Sequence, residues 1–236
     1  MKVEIWSDVM CPFCYIGKRR FETALQKFDH ADDIQVEWKS FQLDPSMPTT
    51  PHKNINQYLA ERKGWTMEHA RQLNSQVTNM AAAEGLVYDF DKAVVANSFD
   101  AHRFAAVAKE NNLGDKAEER LFKAYFTEGK NIADHNVLAE LGKEIGLDAS
   151  LVKAMLESST YSENVLHDIR EAEAIGVRGV PFFVLNRQYA VSGAQPAETF
   201  LNALEKSYAE WQLQQVAVEE VAVVEGQVCT PGGDCA

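Results

Sequence analysis

The cysteine pair in Cys11-Pro12-Phe13-Cys14 constrains this chain more than any other feature, because of where it stands. It follows a short apolar run, with Val3, Ile5 and Trp6 in residues 2–7, that stops at Ser7-Asp8. It opens a segment in which Phe21, Ala24, Leu25 and Phe28 recur at helical spacing, with Lys18, Arg19 and Arg20 on the other face. Ile34-Gln35-Val36-Glu37-Trp38-Lys39 then alternates apolar and polar residues, the period of a strand. Residues 1–41 therefore read as strand, helix, strand, with the cysteines at the helix N-terminus. That position suits sulfur chemistry. Only the thiolate attacks a disulfide, and the unpaired N–H groups and dipole of a helix start stabilise an anion. Pro12 fits the first turn, where its missing N–H leaves no bond unmade. Two intervening residues bring Cys14 back near Cys11, which makes Cys11 the attacking thiol and Cys14 the resolving one. Lys18, Arg19 and Arg20 are expected to add positive potential one to two turns on, screened by solvent.

After Asp44-Pro45-Ser46-Met47-Pro48 the pattern changes. Helical periodicity dominates residues 46–159, in sets such as Ile55/Tyr58/Leu59, Leu121/Phe122/Tyr125/Phe126 and Leu138/Leu141/Ile145. Gly64, Gly85, Gly114, Gly129 and Gly146 punctuate the stretch where helix ends need a residue tolerant of left-handed φ. Strand character returns at Pro181-Phe182-Phe183-Val184-Leu185 and Tyr189-Ala190-Val191, around a polar Asn186-Arg187-Gln188 turn. A last amphipathic helix carries Leu201, Leu204, Tyr208 and Trp211 on one face. The expected organisation is a discontinuous α/β domain, residues 1–45 and 160–215, interrupted by an all-helical insertion at 46–159. Residues 216–236 form a C-terminal tail.

A net charge of −12 argues against a nucleic-acid backbone or an anionic membrane surface as partner. No apolar run approaches the ~18–20 residues of a membrane span, and Glu4 and Asp8 interrupt any secretory h-region. The chain as given is thus expected to be cytoplasmic. Its four cysteines fall into two close pairs, 11/14 and 229/235, too few for a disulfide scaffold. In Cys229-Thr230-Pro231-Gly232-Gly233-Asp234-Cys235 the Pro-Gly-Gly reversal can bring the ends together as a second, reversible redox pair. A zinc site built from all four thiols is the competing reading. The histidines show no metal-ligand spacing, so no metal is assigned.

Gly176-Val177-Arg178-Gly179-Val180-Pro181-Phe182-Phe183 is the second informative stretch, because a proline opening an apolar strand marks an edge or a special turn. Together with Trp6-Ser7-Asp8-Val9-Met10-Cys11-Pro12-Phe13-Cys14-Tyr15-Ile16-Gly17, Phe41-Gln42-Leu43-Asp44-Pro45 and Ala101-His102-Arg103, it resembles the DsbA family of thioredoxin-fold oxidoreductases, most closely its FrnE-like branch. The resemblance extends over residues 1–215 and implies a thioredoxin-like fold interrupted by the helical insertion. It implies a cis Pro181 facing the cysteines and a Val180 backbone able to pair with a substrate strand, with Pro12 and Phe13 also at the substrate. It leaves His102 bordering a thiol pocket, or else solvated or packed in a helix interface.

Glutathione-dependent isomerases of the hydroxychromene-carboxylate type are relatives of this branch, with a serine where the first cysteine would be. Cys11 and Cys14 are both present here, which favours redox chemistry. Phe13 stands where the periplasmic oxidases of the family have a histidine, and it offers no donor to a thiolate. The resemblance therefore implies a less oxidising couple, running as a reductase or isomerase on protein or small-molecule disulfides. No bound cofactor is expected, and glutathione or another thiol is the implied co-substrate.

Overall fold

The computed structural model describes residues 1–219. Cys229 and Cys235, the expected second redox pair, lie outside the described residues. In chain order the elements are β1 (Lys2–Ser7), α1 (Pro12–Lys27), β2 (Gln35–Ser40), β3 (Thr50–Asn54), α2 (Ile55–Lys63), α3 (Met67–Ala83) and β4 (Val94–Val95). There follow α4 (Phe99–Glu110), α5 (Gly114–Phe126), α6 (His135–Ile145), α7 (Ala149–Leu156), α8 (Ser162–Ala174), β5 (Phe182–Leu185), β6 (Tyr189–Ser192) and α9 (Ala197–Glu219).

The main sheet has the order β2-β1-β5-β6. β1 runs parallel to β2, with Ile5 opposite Trp38, and antiparallel to β5, with Ile5 opposite Phe183. A parallel pair needs a crossover, and α1 supplies it. Because β1 is covered on both faces it cannot alternate: Val3, Glu4, Ile5, Trp6 and Ser7 are all buried. On one face Phe21 of α1 and Phe200 of α9 close on Phe183, with ring centroids 5.4 and 4.5 Å away. On the other, Trp6 and Val184 meet Ala172 of α8, and Trp6 Nε1 donates to the Asp168 carbonyl at 3.0 Å. Glu4 is buried and paired with Arg187.

Between β2 and β5 the chain is helical with one addition. β3 and β4 form a two-stranded ribbon, so the stretch read as all-helical is not wholly so. Val94-Val95 is too short to show a period, which is why helical spacing hides it. Gly64 and Gly146 do end α2 and α6 in the left-handed region, at φ 68° and 101°. Gly114 instead opens α5, and Asn112, at φ 58°, takes the left-handed position after α4.

The helical core is continuous with the start of α1. Val9, Cys14, Tyr15 and Ile16 share one buried cluster with Phe104, Phe122, Tyr125 and Phe126. Tyr15 stacks on Phe122 at 4.9 Å, a side chain whose burial stabilises by roughly 1.5–3 kcal/mol. The cysteine pair therefore lies on the seam between sheet and helices.

Candidate active site

At the end of β1 the chain turns sharply, and the Cys11 amide donates to the Asp8 carbonyl at 2.9 Å. Cys11 is the N-cap of α1 in extended conformation, φ −86° and ψ 111°, and Pro12 occupies the first turn. No side chain caps the helix there and Pro12 has no N–H, so the Phe13 amide is the first-turn donor left at the cysteine end. The Cys14 amide folds back onto the Cys11 carbonyl at 3.0 Å. Both residues are free thiols. They differ in setting: Cys11 keeps 3% of its surface exposed and Cys14 none. Burial pushes the Cys14 thiol well up, and Cys11 adds to this by hydrogen bond and charge. The Asp8 backbone and the Ser7 hydroxyl pull it partly back.

The loop before β5 faces this pair. Cys11 Sγ donates to the Val180 carbonyl at 3.5 Å, and the Val180–Pro181 peptide bond is cis. Pro181 is buried, and its carbonyl accepts from the Gly193 amide at 2.8 Å, which ties the loop to the end of β6. Phe13 is exposed beside the thiol, and Pro12 is half-buried. Cys11, Cys14, Val180 and Pro181 thus converge from opposite ends of the sequence.

A profile of the DSBA-like thioredoxin domain matches residues 2–205. The chain belongs to this family. It is 30% identical over 209 residues to the uncharacterised protein YwbO of Bacillus subtilis (strain 168), covering 86% of this chain and 94% of YwbO. Its fold matches the crystal structure of a probable DsbA oxidoreductase from Streptomyces coelicolor with a TM-score of 0.83 and 37% identity, over 100% of this chain and 98% of that one. It also shares the fold of the cytosolic disulfide reductase DsbM from Pseudomonas aeruginosa, in a structure with GSH. That likeness has a TM-score of 0.60 and 18% identity, and covers 91% of this chain and 99% of DsbM.

Around the cysteines this DsbA-like chain places several side chains that the sequence does not single out. Tyr88 donates its hydroxyl to the Pro12 carbonyl at 2.7 Å while its ring stacks on Phe126 at 4.6 Å. A cavity of about 340 Å³ opens beside Pro12, walled by Met10, Leu43, Met47, Leu59 and Phe90, with Arg62 also in its lining. Lys18 departs from the sequence expectation. It is buried and held by Glu22, Asp115 and Glu119, while Arg19 pairs with Glu119 and Arg20 with Glu84. The three cations are neutralised locally and add little net potential at the thiols.

His102, expected at a thiol pocket, in a helix interface or in solvent, is not solvated: it is buried beneath the site. α4 turns its Ala101, His102 and Phe104 inward, which takes the imidazole to the end of β1. Its Nε2 is 3.4 Å from Asp8 Oδ1, close enough for an ion pair but not aligned as a hydrogen bond. Burial opposes the imidazolium, yet Asp8 and Glu118 outweigh it and hold His102 above its ordinary value. Burial also pushes the Glu118 carboxyl up to about 7, with His102 and Lys18 countering and Asp115 and Asp8 assisting.

Both shifts tie stability to pH in one direction. Between its unfolded value near 4.5 and about 7, Glu118 keeps a proton when folded that it loses when unfolded. Its contribution is present below pH 4.5 and lost as pH rises through 7, on the order of 3 kcal/mol. His102, also raised, adds to the loss in its own range. Glu118→Gln should flatten this slope, so that the variant gains on the parent protein between those pH values in urea unfolding. A constant difference across the range would contradict the assignment.

Gly17 meets the Pro181 loop directly. A Cβ at this position would stand 2.9 Å from Pro181 Cγ, with Phe183 Cζ at 3.5 Å and the Ala194 Cα at 3.6 Å. Gly17→Ala gains about 1 kcal/mol of helix propensity, but overpacking against a rigid ring costs about 1–3 kcal/mol. We expect net destabilisation and displacement of the Pro181 loop, read as a lower urea midpoint and several-fold slower disulfide exchange. A variant with unchanged midpoint and exchange rate would show that α1 and the loop do not constrain each other.

Among the described residues one group has ligand atoms close enough to hold a metal ion, His167, Asp168 and Glu171. Its carboxylates already face Lys39 at 3.2 and 3.1 Å. No described helix is long and apolar enough to cross a membrane.

Proposed function

We propose that this chain is a dithiol–disulfide oxidoreductase that uses Cys11 and Cys14 and runs in the reducing direction in the cytosol. The observation that carries the reading is the asymmetry of the pair. Cys11 stands at the helix N-cap with its sulfur against the Val180 carbonyl, and Cys14 is sealed behind it as a thiol held well above its ordinary value.

Cys11 as thiolate attacks one sulfur of a substrate disulfide R–S–S–R′, forming Cys11–S–S–R and releasing R′–S⁻, which takes up a proton. Cys14 then loses its proton and attacks Cys11 Sγ, forming Cys11–S–S–Cys14 and releasing R–S⁻. The substrate gains two electrons and the cysteine pair loses them. A thiol such as glutathione, two per cycle, reverses the steps on the protein and is itself oxidised to its disulfide. The backbone around Val180 is the place for an extended substrate segment, which would add as a strand. The reducing direction is supported by Phe13, an exposed apolar ring that gives a thiolate no donor. It accords with the shared fold of DsbM, a cytosolic disulfide reductase.

The test is insulin reduction with glutathione as donor, alongside equilibration of the pair against the reduced and oxidised glutathione couple. Reduction of insulin and a mainly reduced pair at cytosolic glutathione ratios are expected. A pair that stays oxidised at those ratios would reverse the direction, and absence of exchange with either disulfide would remove the reading.

A further inference from the structure

A second cavity lies between β2, α4 and α5, and the exchange steps above make no use of it. Its volume is about 350 Å³, within the roughly 300–1,000 Å³ of small-molecule sites. It shares no lining residue with the cavity beside Pro12. Val36 and Trp38 of β2, with Ala105 and Ala106 of α4, give it an apolar wall. Asp115 and Lys109 also line it, with side chains 63% and 45% exposed, so the cavity opens to solvent.

Glu118 of α5 forms part of the wall at 4% exposure. Its Oε2 is buried and has no hydrogen-bond partner among the described residues. Buried polar atoms are nearly always paired, so an orphan oxygen in a cavity wall marks a place for a donor. The lysines nearby are engaged elsewhere. Lys39 faces Asp168 and Glu171 at 3.2 and 3.1 Å, and Lys109 pairs with Glu37. Asp115 holds Lys18 at 3.2 Å and accepts from Trp38 Nε1 at 3.1 Å. Of the three carboxylates in the wall, Glu118 alone has no ion pair among the described residues. A divalent metal ion does not suit this place, since it takes about six or more ligand atoms. Glu118 belongs to no described group with ligand atoms close enough to share one. A primary ammonium does suit it: the charge is compact, it donates in three directions, and its alkyl stem has an apolar wall to cover.

We propose that this cavity binds a small alkylammonium ion, with the charge on Glu118 and the stem against Trp38, Ala105 and Ala106. The site is independent of the dithiol reading above. Without a cation, Glu118 holds its proton up to about pH 7. Below that pH the ammonium must displace this proton, which passes to the buffer, while the amine keeps its own. Affinity should therefore rise about tenfold per pH unit below 7 and level off above it. The charged groups around Glu118 are His102 of α4, Asp8 after β1, Lys18 of α1 and Asp115 of its own helix. Glu37 and Lys39 of β2 and Lys109 of α4 stand elsewhere in the wall. Protonation of His102 as pH falls opposes the cation, which works in the same direction.

The experiment titrates the isotope-labelled full-length chain with butylamine at constant ionic strength, over about pH 6 to 8, and follows it by NMR. The Trp38 indole N–H, which donates to Asp115 at the cavity wall, is the reporter. Saturable shifts at Trp38, Ala105 and Ala106 are expected, with the affinity rising with pH as stated. Glu118→Gln should weaken binding at least about tenfold, the scale of one charge-assisted hydrogen bond, and remove the pH slope. Ala106→Leu, which fills the wall and leaves Glu118 in place, should weaken binding and keep the slope. Butanol, with the same stem and no charge, should not saturate the site. Three results in the unaltered protein would each overturn the proposal, whether or not the variants fold. They are butanol binding as well as the amine, calcium chloride moving the same resonances at lower concentration, and an affinity that does not change with pH. Cys11→Ser should bind the amine as the unaltered protein does, and a loss there would place the amine at the cysteines and overturn the site as well. Failure of the insulin test leaves this result untouched.

Discussion

Cys11→Ser is expected to abolish disulfide exchange, by on the order of a thousandfold or more, with the fold intact. A hydroxyl at this N-cap is a far weaker nucleophile than a thiolate. The substitution removes little volume from a buried residue, and serine is itself a favoured cap. Cys14→Ser should behave differently. Cys11 still attacks, but nothing resolves the product, so this variant should accumulate a mixed disulfide at Cys11. Peptide mapping after brief exposure to oxidised glutathione separates the two. The Cys14 variant should carry glutathione on Cys11, the Cys11 variant none on Cys14, and the unaltered protein should pass to the Cys11–Cys14 disulfide. Glutathione on Cys14 of the Cys11 variant, at the rate Cys11 shows, would invert the assignment. The burial of Cys14 argues against that outcome: a thiol with no exposed surface and a raised pKa presents neither access nor thiolate.

The contrast between the cysteines and their surroundings shows which parts of such a site a sequence reveals. Cys11, Pro12 and Cys14 are legible because a helix start gives their spacing a chemical meaning, independent of what packs around it. Val180 and Pro181 are legible only through the family resemblance, since a Val-Pro before a strand means little alone. The inner shell is not legible. Glu118 stands in Gly114-Asp115-Lys116-Ala117-Glu118-Glu119-Arg120, a run that reads as a solvated face, yet α5 buries it while Asp115 stays largely open. Lys18 misleads for the same reason. Its charge suggests the surface, and the docking of α5 against α1 adds Asp115 and Glu119 to the Glu22 that α1 itself supplies, which lets it be buried. Single-residue chemistry is written locally, whereas burial of a charge depends on partners far along the chain. The sheet order has the same limit: β1 pairs with β5 across the whole helical stretch, and no local period specifies that.

Arg103→Met should be the most destabilising change in the helical region, by about 3–5 kcal/mol, the usual result of breaking a buried charged network. Arg103 is buried, and reads from the sequence only as part of the Ala101-His102-Arg103 match. In the structure its Nε donates to the Thr160 carbonyl at 2.9 Å, and its Nη1 to the Leu156 carbonyl at 3.3 Å and Asp100 Oδ1 at 2.7 Å. Its Nη2 donates to the Met155 carbonyl at 2.7 Å and to the Ser158 carbonyl. Every N–H of the guanidinium is thus used. The backbone acceptors belong to the end of α7 and the turn after it, where a helix leaves its last carbonyls without partners. Methionine fills the volume but takes the donor from the Leu156, Ser158 and Thr160 carbonyls, each costing about 1–3 kcal/mol when buried and unpaired, while the Met155 carbonyl keeps the Ser158 hydroxyl and Asp100 keeps His135. Arg103→Lys keeps the charge but has fewer donors and no planar fork, so it should recover only part of the loss. Urea unfolding measures the difference, and amide exchange over residues 155–162 should rise first, because that turn loses its cross-link to α4. A loss below about 1 kcal/mol would mean water replaces the guanidinium and the turn is not held by it. His102 adjoins Arg103 on α4, so loosening this anchor should also disturb its pairing with Asp8 beneath the cysteines.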